Sequence, residues 1–552
     1  MVSRVATSSY LVVICALKPL FKKTLDLPSI PWVSGILADR DVLVYEILGI
    51  GFLFLILFRT RRHSNASPPG PRGSIISGNR SVIIGRKDIW AQYAEWARIY
   101  GPVFSLKANQ LNIIVLNSAK ALHDLLDGRS KIYSDRPTLI MNELLKQDKF
   151  LIRLTSRSSQ FPLYRRTAHE ELGIQKMSRH LPALENHVKL LLKDLLSHPE
   201  HFKSHLRICQ SRNILKTIYG HTVESRDDYF VNLIEQRMKV LNSFMRTGAW
   251  LVDSYPILRH IPQWMPGGGF QKFVSEKRAR NEEVVNLPYE WTKSQVKAGA
   301  AYPSLVANQV NREKLSAEHE EVIKHVAVTM YVAGVDTVLS TLLTFLLVMT
   351  LNPECQIRAQ KEIDSVVGSD RLPRLSDRDK LPYVDALIKE VLRFHPPAPL
   401  GLNHAVTQDD EYDGMFIRKN STVVPNIWAV TRDDSIYPEP TRFDPTRYLI
   451  RKQSSELECV QTDPRKFVFG FGRRICAGKI LSGRMHFAET SVFLQISSIL
   501  ATLTISKERD GMDSEIAPVV DFTGGIISLP EDFLCKISPR SDAAIDLIMW
   551  DH

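Results

Sequence analysis

The chain has no CxxC pair and no regular cysteine spacing. Its six cysteines (Cys15, Cys209, Cys355, Cys459, Cys476, Cys535) are scattered over 552 residues. That excludes a disulfide framework and a cysteine-based zinc site, and it fits a reducing compartment. Internal repeats and low-complexity linkers are missing from the body of the chain. A hydrophobic content of 44%, with eight Trp and 23 Phe, excludes disorder and provides for a sizeable core. Zinc-finger spacing and basic helices of the nucleic-acid-binding type are also lacking. The net charge of +11 and the pI of about 9.2 are therefore read as suiting an anionic membrane surface or an acidic protein partner, with no nucleic acid. The length exceeds the usual single-domain size, although large enzymes do run as one unit.

What is present first is an apolar run, "DVLVYEILGIGFLFLILF" (Asp41 to Phe58), followed by Arg59, Arg61, Arg62 and His63. About 17–20 apolar residues suffice to span a bilayer, and the basic flank places that end in the cytoplasm. About 40 residues precede the run and no small-residue cleavage site follows it, so it reads as an anchor and not a signal sequence. Residues 1–40 are expected to form a lumenal or interfacial segment and 41–58 a transmembrane helix. A basic cluster with a Pro-rich hinge, including "SPPGPRG", covers 59–73, and the catalytic body spans 74–552. The body is expected to be mainly α with small β sheets. "DIWAQYAEWARIYG" repeats its apolar face at three and four and stops at Gly101, whereas "LNIIVLN" reads as a strand.

One late segment concentrates unusual chemistry. "KFVFGFGRRICAGKI" surrounds Cys476 with Gly470, Gly472 and Gly478 and sets Arg473 and Arg474 beside it. Glycine-rich backbone can approach a thiolate closely, and its N–H groups can tune a metal bound there. The spacing Phe469-x-x-Gly472-x-Arg474-x-Cys476-x-Gly478 resembles the haem-binding motif of the cytochrome P-450 superfamily, the haem-thiolate monooxygenases. Other stretches extend the resemblance from the PPGP hinge to "CKISPRS". It implies haem b (iron protoporphyrin IX) with Cys476 as axial thiolate and metal ligand. It also implies that Ala333-Gly334-x-Asp336-Thr337, within a long apolar helix, is the oxygen-activating centre. There Gly334 would let backbone approach dioxygen, Thr337 would hydrogen-bond it during activation, and Asp336 would relay protons.

Further roles follow from the same resemblance. Glu390 and Arg393 share a helix face, and with Arg442 from "YPEPTRFDPTRYL" they would form a buried, mutually hydrogen-bonded structural set. Arg165, Arg474 and His404 are candidates for the haem propionates. Phe161 stands where the family usually carries tryptophan, so one indole donor should be absent. The implied activity is membrane-bound oxidation of a lipophilic small molecule with O2, a terpenoid being the first guess and an aromatic polyketide or alkaloid the second. "WLVDSYPILRHIPQWMPGGGF" is similar to fungal members of secondary metabolism. With neither a Rossmann fingerprint nor room for a fused flavin domain, electrons are expected from a separate NADPH-cytochrome reductase in the endoplasmic reticulum membrane. Arg473, Arg474 and Lys479 would help receive its acidic face. The alternatives are a haem-thiolate isomerase or dehydratase without O2 activation, and a non-enzymatic haem binder.

Overall fold

Helix α1 (Ile89–Tyr100) buries Trp90 and Tyr93 and ends at Gly101. That residue takes φ 97° and donates its N–H to the Ala97 carbonyl, a conformation that favours glycine. The chain then turns into β1 (Val103–Ala108) and β2 (Leu111–Leu116), an antiparallel pair in which Val103 faces Leu116. The computed structural model describes residues 67–550 apart from 173, 245–249, 313–314, 450–451, 454–455, 458–460 and 479–486. The chain divides into two compact units at Ser67 and Pro68, within the segment read as a hinge. The expected anchor at 41–58 lies outside the described residues.

Helices dominate from there. They are α2 (Phe161–Leu172), α3 (Ile174–Ser197), α4 (Phe202–Tyr219), α5 (Tyr229–Phe244), α6 (Gly269–Lys297), α7 (Ala317–Leu351), α8 (Pro353–Val366), α9 (Pro382–Phe394) and α10 (Phe487–Thr502). Strands β3 (His404–Ala405) and β4 (Thr422–Pro425) complete a four-stranded sheet in the order β1-β2-β4-β3. Within it β2 and β4 run parallel, while β3 and β4 run antiparallel. Near the C-terminus β5 (Leu503–Ser506) pairs with β6 (Lys536–Pro539). The expected class, mainly α with small sheets, is the observed one.

Helix α7 organises the molecule. Ser316 caps its start by accepting from the His319 N–H, and Glu318 and Glu320 in the first turn complement the helix dipole. Its 35 residues are long and apolar enough to cross a membrane, yet 83% of the apolar window is buried inside the protein. A helix apolar on all sides and packed on all sides is a core helix. A second core joins the sheet to the cysteine segment, since Phe467 and Phe471 pack with Leu122, Leu126, Tyr133 and Val423. That packing fixes where Cys476 stands.

Candidate active site

The cysteine loop is held by a few short-range bonds. A helical turn, Arg465–Val468, ends at Phe469, whose carbonyl accepts the Cys476 N–H at 2.8 Å. Gly470 and Gly472 take φ 76° and 51°. At Gly472 a Cβ would lie 2.3 Å from the Leu126 carbonyl oxygen and 2.7 Å from Ser130 Cβ, so close approach requires glycine there. The Gly472 N–H donates to Asp127 at 2.6 Å. A Cβ at Gly478 would sit 3.5 Å from the Cys476 sulfur, in ordinary contact, so glycine there only keeps space open beside the sulfur. Cys476 is exposed, whereas Cys209, Cys355 and Cys535 are buried. Burial pushes those three thiols up to about 12, 11 and 12, so they are poor thiolates.

Cations gather behind this loop. Arg474 donates from Nε to the Ser134 carbonyl at 2.8 Å, from Nη1 to Leu151 at 3.1 Å, and from Nη2 to Leu154. Its guanidinium lies 4.2 Å from the centroid of the Phe161 ring, so the phenylalanine in the expected tryptophan position makes a cation–π contact instead of donating. Arg165 donates to the Ile475 carbonyl at 2.9 Å. A third cation went unforeseen: buried Arg136 donates to the carbonyls of Ile152 (3.1 Å), Leu402 (2.8 Å) and Asn403 (2.6 Å). An arginine before a proline carries no local signal. It is the bridge from Asp135 to Ala405 of β3 that brings Arg136 here.

Among the described residues, none of Arg136, Arg165 and Arg474 has a carboxylate within ion-pair distance. Burial lowers all three below the usual guanidinium value. Repulsion from Arg474 and Arg153 adds to this at Arg136, and Arg474 reaches about 10. Buried Arg136 and half-buried Arg165 and Arg474, hydrogen-bonded to carbonyls beside an exposed thiol, suit a cofactor with anionic substituents and a thiolate-seeking metal. Haem b meets both requirements.

His404 fits less well than expected. It is buried, and its Nδ1 bonds the Tyr133 carbonyl at 2.6 Å, which makes Nδ1 the donor. Burial, then Arg136, holds the ring neutral. A propionate contact would need a second proton on Nε2, which Arg136 and Arg474 oppose. Arg473 is exposed, but Arg474 points inward and is unavailable to a docking partner; Lys479 lies outside the described residues.

At the centre of α7, Ala333 is exposed and Gly334 and Thr337 are half-buried, on one side of a stretch whose other residues are buried. Thr337 Oγ1 donates to the Ala333 carbonyl at 2.8 Å. Asp336 is buried and forms an ion pair with Arg207 of α4 at 2.9 Å. Gly334 is half-buried, and a Cβ there would come within 2.7 Å of Ile214 Cδ1 of α4, the far end of a flexible side chain.

A family model described as cytochrome P450 matches residues 68–526. The chain belongs to the cytochrome P450 family. It is 38% identical over 519 residues to "Cytochrome P450 monooxygenase claR" of Ampulloclitocybe clavipes, covering 93% of this chain and 94% of that protein. It is 38% identical over 513 residues to "Cytochrome P450 monooxygenase 208" of Postia placenta, covering 92% and 96%. As a cytochrome P450 it is a haem-thiolate monooxygenase, with haem on an axial cysteine thiolate.

Elsewhere in this cytochrome P450 the expected Glu-x-x-Arg set is found with one correction. Glu390 and Arg393 are fully buried and paired in a fork, Nη2 to Oε1 at 2.7 Å and Nε to Oε2 at 2.8 Å. The third member is Arg447, not Arg442. Arg442 is exposed and pairs with exposed Glu439 at 3.2 Å, offering only its carbonyl to the set. Arg447 is buried and reaches Glu390 at 3.3 Å. The reason is local: Asp444 caps the turn Pro445–Tyr448 through the Thr446 N–H, and that turn carries Arg447 inward.

Proposed function

We propose that this chain is a single-pass enzyme of the endoplasmic reticulum membrane, anchored by 41–58 with its catalytic body in the cytoplasm. It oxidises a lipophilic secondary metabolite, with a terpenoid skeleton as the first candidate, and takes electrons from a separate NADPH-cytochrome reductase. The observation that carries the reading is the exposed Cys476 in a loop shaped by Gly472 and backed by cations. Cys476 is the axial ligand, and Arg136, Arg165 and Arg474 hold the propionates. When bound, the haem supplies dioxygen activation and oxidation of a substrate C–H bond.

The chain's own residues place the substrate and manage protons. Ala333 leaves room at the cleft and Thr337 presents a hydroxyl one turn later. Asp336 relays protons from solvent toward Thr337, while Arg207, whose side chain is 27% exposed and stays protonated, holds the Asp336 carboxylate in place. Exposed Arg473 offers a cation to an acidic reductase face.

Microsomes from yeast expressing this chain with a reductase provide the test. Product from a terpenoid panel is expected to require both NADPH and O2, and the reduced, carbon monoxide-treated protein is expected to absorb as a thiolate-ligated haem. Cys476→Ala should abolish both. Turnover without NADPH and O2 would convert the reading to an isomerase, and unchanged turnover in Cys476→Ala would end it.

A further inference from the structure

Arg153 is a half-buried cation that the proposed reaction does not use. Its Nη2 is sealed from solvent and has no hydrogen-bond partner. Buried guanidinium nitrogens are normally satisfied, so an unmatched one marks a missing partner. Arg153 lies in the turn 150–154, which is fastened on two sides. The carbonyls of Leu151 and Leu154 accept from Arg474, two residues before Cys476. The Leu151 N–H donates to Thr329 Oγ1 of α7 at 3.3 Å, one helical turn before exposed Ala333. The turn that carries Arg153 therefore joins the cysteine loop to the open face of α7.

The neighbouring anions are occupied. Asp135 pairs with Arg157 at 2.9 Å and also accepts from Thr155 and the Ser156 N–H. Asp253 lies in the short helical turn Leu251–Ser254, and its Oδ1 accepts the Met141 N–H at 2.9 Å. It acts on Arg153 through its field alone, and burial pushes its carboxyl up to about 6, so its negative charge is itself weakened. Arg153 in turn repels Arg136. Propionates held by Arg136, Arg165 and Arg474 would leave Arg153 unmatched. Its remaining requirement is an acceptor arriving from the cleft.

We infer that Arg153 is a substrate-recognition residue that binds the carboxylate of an amphipathic acid, an apolar skeleton bearing one acidic group. This deepens the proposed function and rests on it. A charge-assisted bond to a desolvated guanidinium discriminates strongly against a partner lacking the anion, because the site's cation is then left unpaired.

The test titrates the purified full-length haem protein with abietic acid and with dodecanoic acid, and with the methyl ester of each, following the change in the haem absorption spectrum. At least one acid is expected to bind 10-fold or more tightly than its ester. Arg153→Met should erase that preference and Arg153→Lys should keep part of it. Equal binding of acid and ester by the unmodified protein, no binding of either acid, or a preference surviving in Arg153→Met would each overturn the inference. So would haem loss in Arg153→Met with discrimination intact, which would assign the guanidinium to the cofactor. If Arg153→Met fails to fold, the acid-to-ester ratio of the unmodified protein still decides. The reduced carbon monoxide spectrum separates the two levels: with a thiolate spectrum and no acid preference, only this inference falls.

Discussion

Two sets of arginines lie on opposite accounts of charge. Around Glu390, a single carboxylate with no solvent exposure accepts from Arg393, Arg447, Tyr448 and the Asp444 N–H. Both cations there pair with that one carboxylate. Around the cysteine loop, Arg136, Arg165 and Arg474 hydrogen-bond only to carbonyls among the described residues, with Phe161 under Arg474 and Asp135 acting on Arg136 and Arg474 through its field alone. Carbonyls satisfy N–H geometry but leave net charge in a medium of low dielectric. The first set closes on itself and serves the fold, whereas the second is complete only with an anion from outside the chain. Burial of arginine alone does not separate structural from cofactor-binding roles; the location of the counter-charge does.

The comparison can be broken most severely at Glu390. Glu390→Gln leaves Arg393 and Arg447 buried without a charge partner and should cost about 3–5 kcal/mol of stability, read as a drop in the denaturation midpoint with and without haem. A negligible change would show that the two sets do not differ. Arg136→Met tests the other set. Its effect should fall mainly on the loaded protein, weakening haem retention about 10- to 100-fold, as expected for losing a bond worth about 1.5–3 kcal/mol to a charged group; transfer of haem to apomyoglobin measures it. The smallest effect sharpens the picture at Arg474. Phe161→Leu removes the ring under the guanidinium, worth about 1 kcal/mol, and should speed haem loss several-fold, with Phe161→Trp restoring it.

Legibility in the sequence followed the range of the bonds. The cysteine loop was readable because part of what shapes it lies within a few residues, two left-handed glycines and the Phe469-to-Cys476 hydrogen bond, whereas its contacts with Leu126, Asp127 and Ser134 were not. Helix α1 and strand β2 were readable for the same reason, through periodicity and a terminal glycine. Arg442 was mistaken for Arg447 because "PTRFDPTRY" offers two arginines in the same Pro-Thr-Arg setting. Only the cap by Asp444 decides which one turns inward. Arg136 was invisible because its partners Leu402 and Asn403 are more than 260 positions away.

Helix α7 poses a problem for the chain while it is being made. By hydropathy its apolar window passes for a membrane span, so insertion machinery reading the nascent polypeptide meets a second candidate segment after 41–58. The polar groups within it, Thr329, Asp336, Thr337 and Ser340 among them, oppose partition into lipid, with an aspartate near a helix centre alone worth about 2.5–3.5 kcal/mol against insertion. The same side chains proposed to serve oxygen chemistry would thus also keep this helix on the aqueous side of the bilayer until α4 and α10 enclose it.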